Sequence, residues 1–315
     1  MSQNIAIIGE CMLEVNRNVN SNALLNSRIQ ASIGYGGDTL NTAIYLARLG
    51  ITVDYFTALG DDQLSSWMIN EWKKEGVGCD FVLQTAAQVP GLYMISISDK
   101  GERSFSYWRD HAPAKYIFSD EKQRNDLFNQ LMDYDNIYLS GITLAIYSQT
   151  VRDCLYEFFE TYRATGKRIC FDGNYRARLW EDNQTAQDNY RKMYSLTDIA
   201  LPTADDEYEL FQEPEELILK RMESLGVEEL VLKKGEHGCI LKNRSTPQAG
   251  QLIAAHELSQ VVDTTAAGDS FNAGYLSARL KNENPITAAL KGHKLASIVV
   301  QNYGAVIPSR MMPEL

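Results

Sequence analysis

The sequence predicts an α/β protein in which a mostly parallel sheet is covered by helices on both faces. Short apolar runs of strand length alternate with segments of helical periodicity over most of the 315 residues. No internal repeat, low-complexity tract or proline-rich linker interrupts them, which favours a single domain over residues 1–315. The alternation breaks only near residues 91–109, where two strand-like runs follow each other without a helix between them.

Short aliphatic runs predict the buried strands of the main sheet. They lie at residues 5–9, 53–58, 137–139, 168–172, 199–201 and 229–233. Amphipathic stretches lie between them, and the first has Leu40, Ala43, Ile44 and Ala47 at helical spacing before Gly50. Ligands of such sheets bind beyond the carboxyl ends of the strands. Residues that directly follow a strand are therefore candidates for a functional site.

The break in the alternation predicts a second, smaller sheet. Residues 91–97 and 103–109 are strand-like, and the Asp-Lys-Gly-Glu run at 99–102 between them is a hairpin signal. Residues from about 11 to 33 also look extended. We expect these three stretches to pair with one another, apart from the main sheet.

Composition and charge limit the class of partner. The net charge of −11 and the pI near 4.9 argue against nucleic acid or an anionic membrane. Five scattered cysteines without a Cys-x-x-Cys pair predict reduced thiols in a cytoplasmic protein. The chain shows no targeting segment and no apolar run long enough to cross a bilayer. We therefore expect a cytoplasmic enzyme that acts on a small molecule.

Residues 262–271, Val-Asp-Thr-Thr-Ala-Ala-Gly-Asp-Ser-Phe, carry the clearest chemical signal. Ala266, Ala267 and Gly268 stand directly before a helical apolar pattern, so they predict the turn into a helix N-terminus. Unpaired N–H groups and the helix dipole make such a turn an anion site. Asp269 beside it suits a general base that accepts the proton of a hydroxyl attacking a phosphoryl group. The alternative is that Asp269 only caps the helix.

The positive end of the helix also leads us to expect an ionised Asp269 at neutral pH. Such a carboxylate would be a weak base. Weak basicity suits a loose transition state in which the proton leaves late.

This run resembles the D-T-x-G-A-G-D signature of the ribokinase-like, or PfkB, family of carbohydrate kinases. The matching residues are Asp263, Thr264, Ala267, Gly268 and Asp269. Ala266 replaces the first glycine of the pattern, and its side chain leads us to expect that a positive φ is excluded there. The resemblance implies a three-layer αβα sandwich with ATP and Mg²⁺ as cofactors. It also implies a small β-sheet lid, from about 10–36 and 88–112, through which a homodimer forms.

Residues 34–41 resemble the second signature of the family, G-G-x-x-x-N. The glycines permit close backbone approach to a polar ligand, and Asp38 and Asn41 are suited to bind sugar hydroxyls. The alternative is that Asp38 is a helix N-cap after a glycine turn. In this segment the substrate contacts are expected at Gly34, Gly36, Gly37, Asp38 and Asn41.

Arginines predict that the substrate is an acid. On the strand 103–109, alternation puts Tyr107 and Arg109 on one face. Arginine grips a carboxylate through two parallel hydrogen bonds, although each arginine alone is also consistent with a surface charge. The pattern resembles that of family members that phosphorylate the terminal hydroxyl of a six-carbon keto acid. By that resemblance Tyr93, Tyr107, Arg109, Ile142 and Arg176 contact the substrate, with Arg109 and Arg176 on its carboxylate.

The resemblance also implies a nucleotide site. The residues expected to contact ATP are Asn174, Thr203, Lys233, Gly235, Gly238 and His293. Asp206 would organise hydrated Mg²⁺ indirectly, because Thr203 and Asp206 stand where the family usually has N-x-x-E. The alternatives are that Asp206 begins an acidic surface helix and that Lys233 is exposed. Residues 302–305 resemble a loop that binds a monovalent cation in some members.

Two other functions stay open at this stage. A kinase for a neutral sugar or nucleoside, such as a fructokinase or adenosine kinase, would leave the arginines without a purpose. A sensor of sugar acids that kept the fold and lost turnover is the second, and the intact Gly268–Asp269 pair argues against it.

Overall fold

The computed structural model describes residues 4–17, 31–97, 103–243, 249–258 and 260–315. The strands are β1 (Ile5–Ile8), β2 (Met12–Arg17), β3 (Ala31–Gly36), β4 (Val53–Gly60), β5 (Val82–Thr85), β6 (Leu92–Ile97), β7 (Arg103–Trp108), β8 (Asn136–Ser140), β9 (Arg168–Asp172), β10 (Ile199–Ala200), β11 (Glu229–Lys233), β12 (Cys239–Asn243) and β13 (Gln251–Ile253). The helices are α1 (Asp38–Arg48), α2 (Gln63–Lys74), α3 (Glu121–Leu131), α4 (Gly141–Ile146), α5 (Gln149–Ala164), α6 (Asn183–Ser195), α7 (Ala204–Phe211), α8 (Glu215–Ser224), α9 (Ala267–Leu280) and α10 (Pro285–Val299).

Nine strands form the main sheet, in the order β13-β12-β11-β10-β9-β8-β1-β4-β5. The run from β11 to β5 is parallel, and β12 and β13 add to one edge as antiparallel strands. The six strands predicted from sequence are β1, β4, β8, β9, β10 and β11. The predicted α/β class with a mostly parallel sheet is therefore confirmed.

Helices cover both faces of this sheet. Successive residues of β1 show the division, because Ile5 and Ile7 belong to one buried cluster while Ala6 and Ile8 belong to the other. The first cluster includes buried residues of α1, α2, α9 and α10, and the second includes those of α3 to α8. A strand buried on both faces reads as a continuous apolar run, which is why these strands were visible in the sequence.

The second sheet has four strands in the order β3-β2-β6-β7. β6 and β7 pair antiparallel, with Tyr93 opposite Tyr107, and β2 runs parallel to β6. The predicted separate sheet is confirmed for these strands. The predicted hairpin turn at 99–102, and residues 18–30 of the predicted extended stretch, lie outside the described residues.

Helix α9 is held against both α10 and α1, and this packing fixes where its N-terminus lies. A Cβ atom on Gly274 would lie 2.8 Å from Gly292 Cα, so glycine lets α9 and α10 pack closely. On the other side, Thr42 Oγ1 donates to the backbone oxygen of Asp269 at 3.2 Å. The start of α9 is thereby fixed at the carboxyl edge of the main sheet.

The sequence predicted reduced cysteines and no membrane-spanning segment. All five cysteines are free thiols, and four of them are buried. Among the helices of the described ranges, none combines the length and the apolar character that a membrane span requires.

Candidate active site

A cavity of about 400 Å³ lies at the carboxyl edge of the main sheet, beneath the four-stranded sheet. Its walls include residues that end or follow β1, β8, β9 and β11, the first turns of α1 and α9, and strands β6 and β7. The predicted residues that line it are Gly36, Gly37, Asp38, Asn41, Tyr93, Tyr107, Arg109, Ile142, Asn174, Arg176, Thr203, Asp206, Lys233, Ala266, Ala267, Gly268 and Asp269. Gly34, Gly235, Gly238 and His293 do not.

Three of the glycines predicted to contact a ligand lie against other parts of this chain. Gly34 lies on β3 opposite Glu14, and Gly238 adopts a φ of 93° with Ile253 O so close that a Cβ would lie 2.1 Å from it. A Cβ on Gly37 would lie 2.3 Å from the backbone oxygen of Glu10. The close approach allowed by Gly37 is therefore to a neighbouring segment of the chain.

His293 lies outside the cavity and is buried against Phe271, with the ring centroids 4.9 Å apart. Burial lowers the pKa of its imidazole to about 4. The ring is therefore neutral at physiological pH. A contact of this neutral ring with adenine stays a prediction.

The start of α9 has the form of an anion site. The helix begins at Ala267, and its first internal hydrogen bond joins Ser270 N–H to Ala266 O at 2.9 Å. The N–H groups of Gly268 and Asp269 precede that bond, so no acceptor within the helix is available to them. Both residues line the cavity. The predicted helix N-terminus is therefore present, but the N–H of Ala267 donates to Thr264 O at 3.2 Å, and a bound anion at the N–H groups of Gly268 and Asp269 stays a prediction.

Ala266 departs from expectation. It is the N-cap of α9 with φ 59° and ψ 18°, which is the left-handed region that we expected its side chain to exclude. A non-glycine residue in this region costs about 1–2 kcal/mol. The strain is tolerated because neighbouring contacts determine the loop before the helix.

Asp263 supplies those contacts. Its carboxylate accepts hydrogen bonds from Thr265 N–H at 3.0 Å, Thr265 Oγ1 at 2.6 Å and Gly304 N–H at 3.0 Å. The first acid of the signature therefore fixes the turn. It also ties the turn to the loop at residues 302–305, which the resemblance links to a monovalent cation.

Asp269 is the third residue of α9 and does not cap it, so the capping alternative is wrong. Asn41 Nδ2 donates to Asp269 Oδ2 at 2.8 Å. The sequence led us to expect Asn41 on a sugar hydroxyl, but in this structure its amide holds the candidate base. The N-cap of α1 is Gly37, so the corresponding capping alternative for Asp38 is also wrong.

Two further carboxylates lie near Asp269. Asn174 Nδ2 donates to Asp38 Oδ2 at 2.6 Å. Asp172 accepts from Lys233 Nζ at 3.0 Å through one oxygen and from Asn272 Nδ2 at 2.8 Å through the other. These contacts bring the ends of β9 and β11 and the starts of α1 and α9 into one polar network.

Lys233 is buried, so the alternative of an exposed lysine is wrong. A Cβ atom on Gly268 would lie 3.5 Å from Lys233 Nζ. The ammonium group therefore lies beside the helix N-terminus, where both favour an anion.

The pKa of Asp269 is raised to about 8, which contradicts the expectation that this carboxyl group is ionised at neutral pH. Desolvation is the largest cause, and Asp38 and Asp172 also raise the pKa, while Asn41 and Lys233 lower it. Burial likewise raises the pKa of Asp38. Desolvation and two neighbouring carboxyl groups therefore outweigh Asn41 and Lys233.

Three arginines line the cavity. Arg109 Nη2 forms a buried ion pair with Glu10 Oε2, and Arg176 Nη1 lies 3.4 Å from Asp206 Oδ1. The guanidinium of Arg178 lies 3.7 Å from the centroid of the Tyr107 ring. Three guanidinium groups therefore line one cavity, two of them beside carboxylates, in a chain whose net charge is −11.

Asp206 lies in the first turn of α7 and lines the cavity, and burial raises the pKa of its carboxyl group. Within the described ranges no cluster of three or more His, Cys, Asp and Glu residues is placed to hold a metal. A carboxylate such as Asp206 suits Mg²⁺ that keeps several waters and binds phosphate oxygens. The residues present therefore fit a cation that arrives with a nucleotide.

Sequence reasoning assigned no role to Glu10, Asp172 or Asn272. Glu10 directly follows a predicted strand and Asp172 ends another. That position at the carboxyl end of a strand was the signal that could have identified both residues. Arg178 lies in the same loop as Arg176. Asn272 lies three residues after Asp269 on α9, and one helical turn places both on the same side.

Comparison with known proteins gives one consistent result. A model of the "pfkB family carbohydrate kinase" matches residues 2–311. Two proteins named 2-dehydro-3-deoxygluconokinase are similar over nearly their whole length. The one from Dickeya dadantii is 44% identical over 319 residues, covering 99% of both chains. The one from Escherichia coli K12 is 41% identical over 318 residues, covering 99% of this chain and 100% of the other.

Solved structures share the fold. A 2-dehydro-3-deoxygluconokinase from Thermotoga maritima superimposes with a TM-score of 0.81 at 18% identity, covering 97% of this chain and 96% of that one. A structure described as ribokinase II from E. coli, in complex with ATP and Mg²⁺, gives a TM-score of 0.82 at 19% identity, covering 96% and 94%.

The raised pKa predicts how stability depends on pH. Folding raises the pKa of Asp269 from an ordinary 3.8 to about 8, so this group contributes stability that is complete below pH 4 and is lost as pH rises through 8. An asparagine side chain resembles the protonated form of an aspartate. Asp269→Asn should therefore unfold at a higher temperature than wild type at pH 8.5, with the difference shrinking towards pH 4.5, in thermal unfolding series.

Asp62→Asn is the matched control. Asp62 caps α2, and although partial burial opposes it, hydrogen bonds from Ser65 and Leu64 lower the pKa of its carboxyl group. The contribution of Asp62 to stability therefore depends on pH in the opposite sense to that of Asp269, because it is lost as pH falls. A stability difference for Asp269→Asn that does not change with pH would contradict the assignment.

Proposed function

The chain belongs to the pfkB family of carbohydrate kinases, and we propose that it phosphorylates 2-keto-3-deoxygluconate, also called 2-dehydro-3-deoxygluconate, on its 6-hydroxyl group with ATP. One observation carries the proposal beyond the family. The anion site and carboxylate at the start of α9 share a single cavity with Arg109, Arg176 and Arg178. Phosphoryl transfer and recognition of an acid can therefore take place on one small molecule.

At the nucleotide end, the N–H groups of Gly268 and Asp269 and the ammonium of Lys233 would hold the γ-phosphate of ATP. These groups are in place before any ligand binds, so they can stabilise charge on the transferred group without reorganisation. Bound Mg²⁺ would neutralise charge on the phosphates, with Asp206 as its indirect protein ligand. Asn174 and Thr203 also line this cavity, and their contacts to ATP belong to the proposal.

Asp269 would accept the proton of the 6-hydroxyl as its oxygen attacks the γ-phosphorus. Asn41 orients the carboxylate through the 2.8 Å hydrogen bond to Oδ2, which leaves Oδ1 for the substrate. Because the pKa in the ligand-free protein is about 8, the reactive ionised form is a minority at neutral pH. A base with a pKa near the working pH is well matched to proton transfer.

The substrate carboxylate would bind to Arg176, whose side chain is 44% exposed and lies 3.4 Å from Asp206 Oδ1, with Arg178 in the wall of the same cavity. Arg109 was predicted for the same role, but in this structure it already pairs with Glu10. The four-stranded sheet brings Tyr93 and Tyr107 to the cavity, and we propose that it acts as a lid that excludes water during transfer. Ile33 and Trp108 of this sheet are exposed and lie outside the cavity lining, which supports a dimer formed through this sheet.

The substrate is tested by measuring ADP release with ATP and Mg²⁺. The panel is 2-keto-3-deoxygluconate, gluconate, fructose, ribose and adenosine. We expect selective turnover of the keto acid, because fructose, ribose and adenosine carry no carboxylate and gluconate differs from the keto acid at carbons 2 and 3. Turnover of a neutral compound would discard the carboxylate site, and ligand binding without any ADP release would favour a sensor.

Asp269→Asn tests the base. We expect kcat to fall by roughly 10²–10⁴-fold, the usual contribution of general acid–base catalysis, while ATP still binds. ADP release gives the rate, and thermal unfolding shows whether the variant is folded. Near-normal turnover in a folded variant would remove Asp269 from this role.

Arg176→Ala tests the carboxylate contact. A hydrogen bond to a charged group is worth about 1.5–3 kcal/mol, so KM for the keto acid should rise at least tenfold. The control substrate is the neutral analogue in which a hydroxymethyl group replaces the carboxylate. If Arg176→Ala weakens both compounds equally, this arginine does not bind the carboxylate.

A further inference from the structure

Glu10 and Arg109 connect the two sheets at the cavity. Glu10 lies two residues after β1 of the main sheet, and Arg109 directly follows β7 of the four-stranded sheet. Both line the cavity, and they are only 4% and 8% exposed. Arg109 Nη2 donates to Glu10 Oε2. The ion pair therefore joins one residue from each wall of the substrate site.

The pair leaves one atom of each partner unused. In the described part of the chain, the buried side-chain atoms without a hydrogen-bond partner that belong to cavity-lining residues are Glu10 Oε1 and Arg109 Nε. A buried polar atom left unpaired costs about 1–3 kcal/mol, and more when the group is charged. An unpaired acceptor and an unpaired donor on two residues that line the cavity are explained if a ligand completes both.

A second buried pair shows what a structural ion pair looks like in this protein. Glu229 accepts from Tyr275 OH at 2.7 Å and Arg279 Nε at 2.8 Å through Oε1, and from Arg279 Nη2 at 2.9 Å through Oε2. Both of its oxygens are used. Glu229 begins β11, whereas the cavity lies at the other end of that strand, at Lys233. Glu10 Oε1 is the one carboxylate oxygen among the unpaired buried side-chain atoms of the described residues, although the buried pair of Glu207 and Arg221 also leaves Arg221 Nη1 without a partner.

We propose that Glu10 is a specificity-determining residue whose Oε1 accepts a hydrogen bond from a hydroxyl group of the bound sugar acid, while Arg109 Nε donates to an oxygen of the same molecule. The inference rests on the proposed function. A carboxylate only accepts hydrogen bonds, so it selects a donor, and the hydroxyls of a sugar acid are such donors. Glu10 would repel the carboxylate of the substrate, which places that group at Arg176 and Arg178.

The experiment combines a variant with deoxy analogues. Steady-state kinetics are measured for wild type and Glu10→Gln with 2-keto-3-deoxygluconate and with its 4-deoxy and 5-deoxy forms. We expect Glu10→Gln to raise KM for the full substrate about tenfold, with kcat and the KM for ATP nearly unchanged. One analogue lacks the hydroxyl that Glu10 recognises. Wild type should already have a raised KM for that analogue, and Glu10→Gln should raise this KM little further.

Glu229→Gln is the matched control, because it removes the same charge from a buried ion pair away from the cavity. It should lower the unfolding temperature and leave every KM unchanged. If Glu10→Gln does not fold, Glu10→Asp keeps the charge beside Arg109 and withdraws the oxygens by one methylene. Glu10→Asp should also raise KM for the full substrate, and it should have little effect on KM for the analogue that lacks the recognised hydroxyl.

Three outcomes overturn the inference in distinguishable ways. If Glu10→Gln weakens all three compounds by the same factor, Glu10 only positions Arg109. If it weakens none of them while wild type phosphorylates the keto acid, Glu10 has no part in recognition and the proposed function still holds. If wild type does not phosphorylate the keto acid, the proposed function fails and the inference fails with it.

Discussion

The buried salt bridge between Lys233 and Asp172 is the interaction on which the geometry of the site depends. It joins the ends of two strands, and Lys233 also donates to Asn272 Oδ1 at 3.0 Å on α9. A buried ion pair stabilises a fold only when its remaining hydrogen-bonding capacity is satisfied. Here Asn272 bonds to both partners. The lysine thus fixes the sheet edge relative to α9, whose N-terminus is the proposed anion site.

The same network sets the acidity of the site. Asp38, Asp172 and Asp269 converge, and Lys233 is the cation that lowers the pKa of Asp269. The ligand-free protein responds by holding a proton on Asp269. The convergence of these carboxyl groups therefore carries a stability cost above neutral pH.

The fold was largely predictable from the sequence for two reasons. Strands that are buried on both faces have continuous aliphatic sequences, and an alternation of strands and helices implies a parallel sheet. The lining of the cavity was visible mainly through segments 34–41 and 262–271. Pairings across the chain were not visible. Nothing local indicates that Arg109 meets Glu10, or that Asn41 holds Asp269, because these partners come together only through the topology of two sheets. The protonation of Asp269 was also mispredicted, since a local pattern shows the helix dipole but not the neighbouring carboxyl groups.

Ala266 has a consequence for the motion of the site. A left-handed alanine raises the free energy of the native turn by about 1–2 kcal/mol, and a locally opened turn releases that strain. The start of α9 should therefore open more often than its burial and packing alone would suggest. The amide of Ser270, whose hydrogen bond to Ala266 O closes the first turn, should then exchange with solvent faster than the amides of the following turns. A phosphate bound to the N–H groups of Gly268 and Asp269 would suppress that opening. Binding at the start of α9 would then be read as slowed amide exchange at Ser270, next to the residues that hold the ligand.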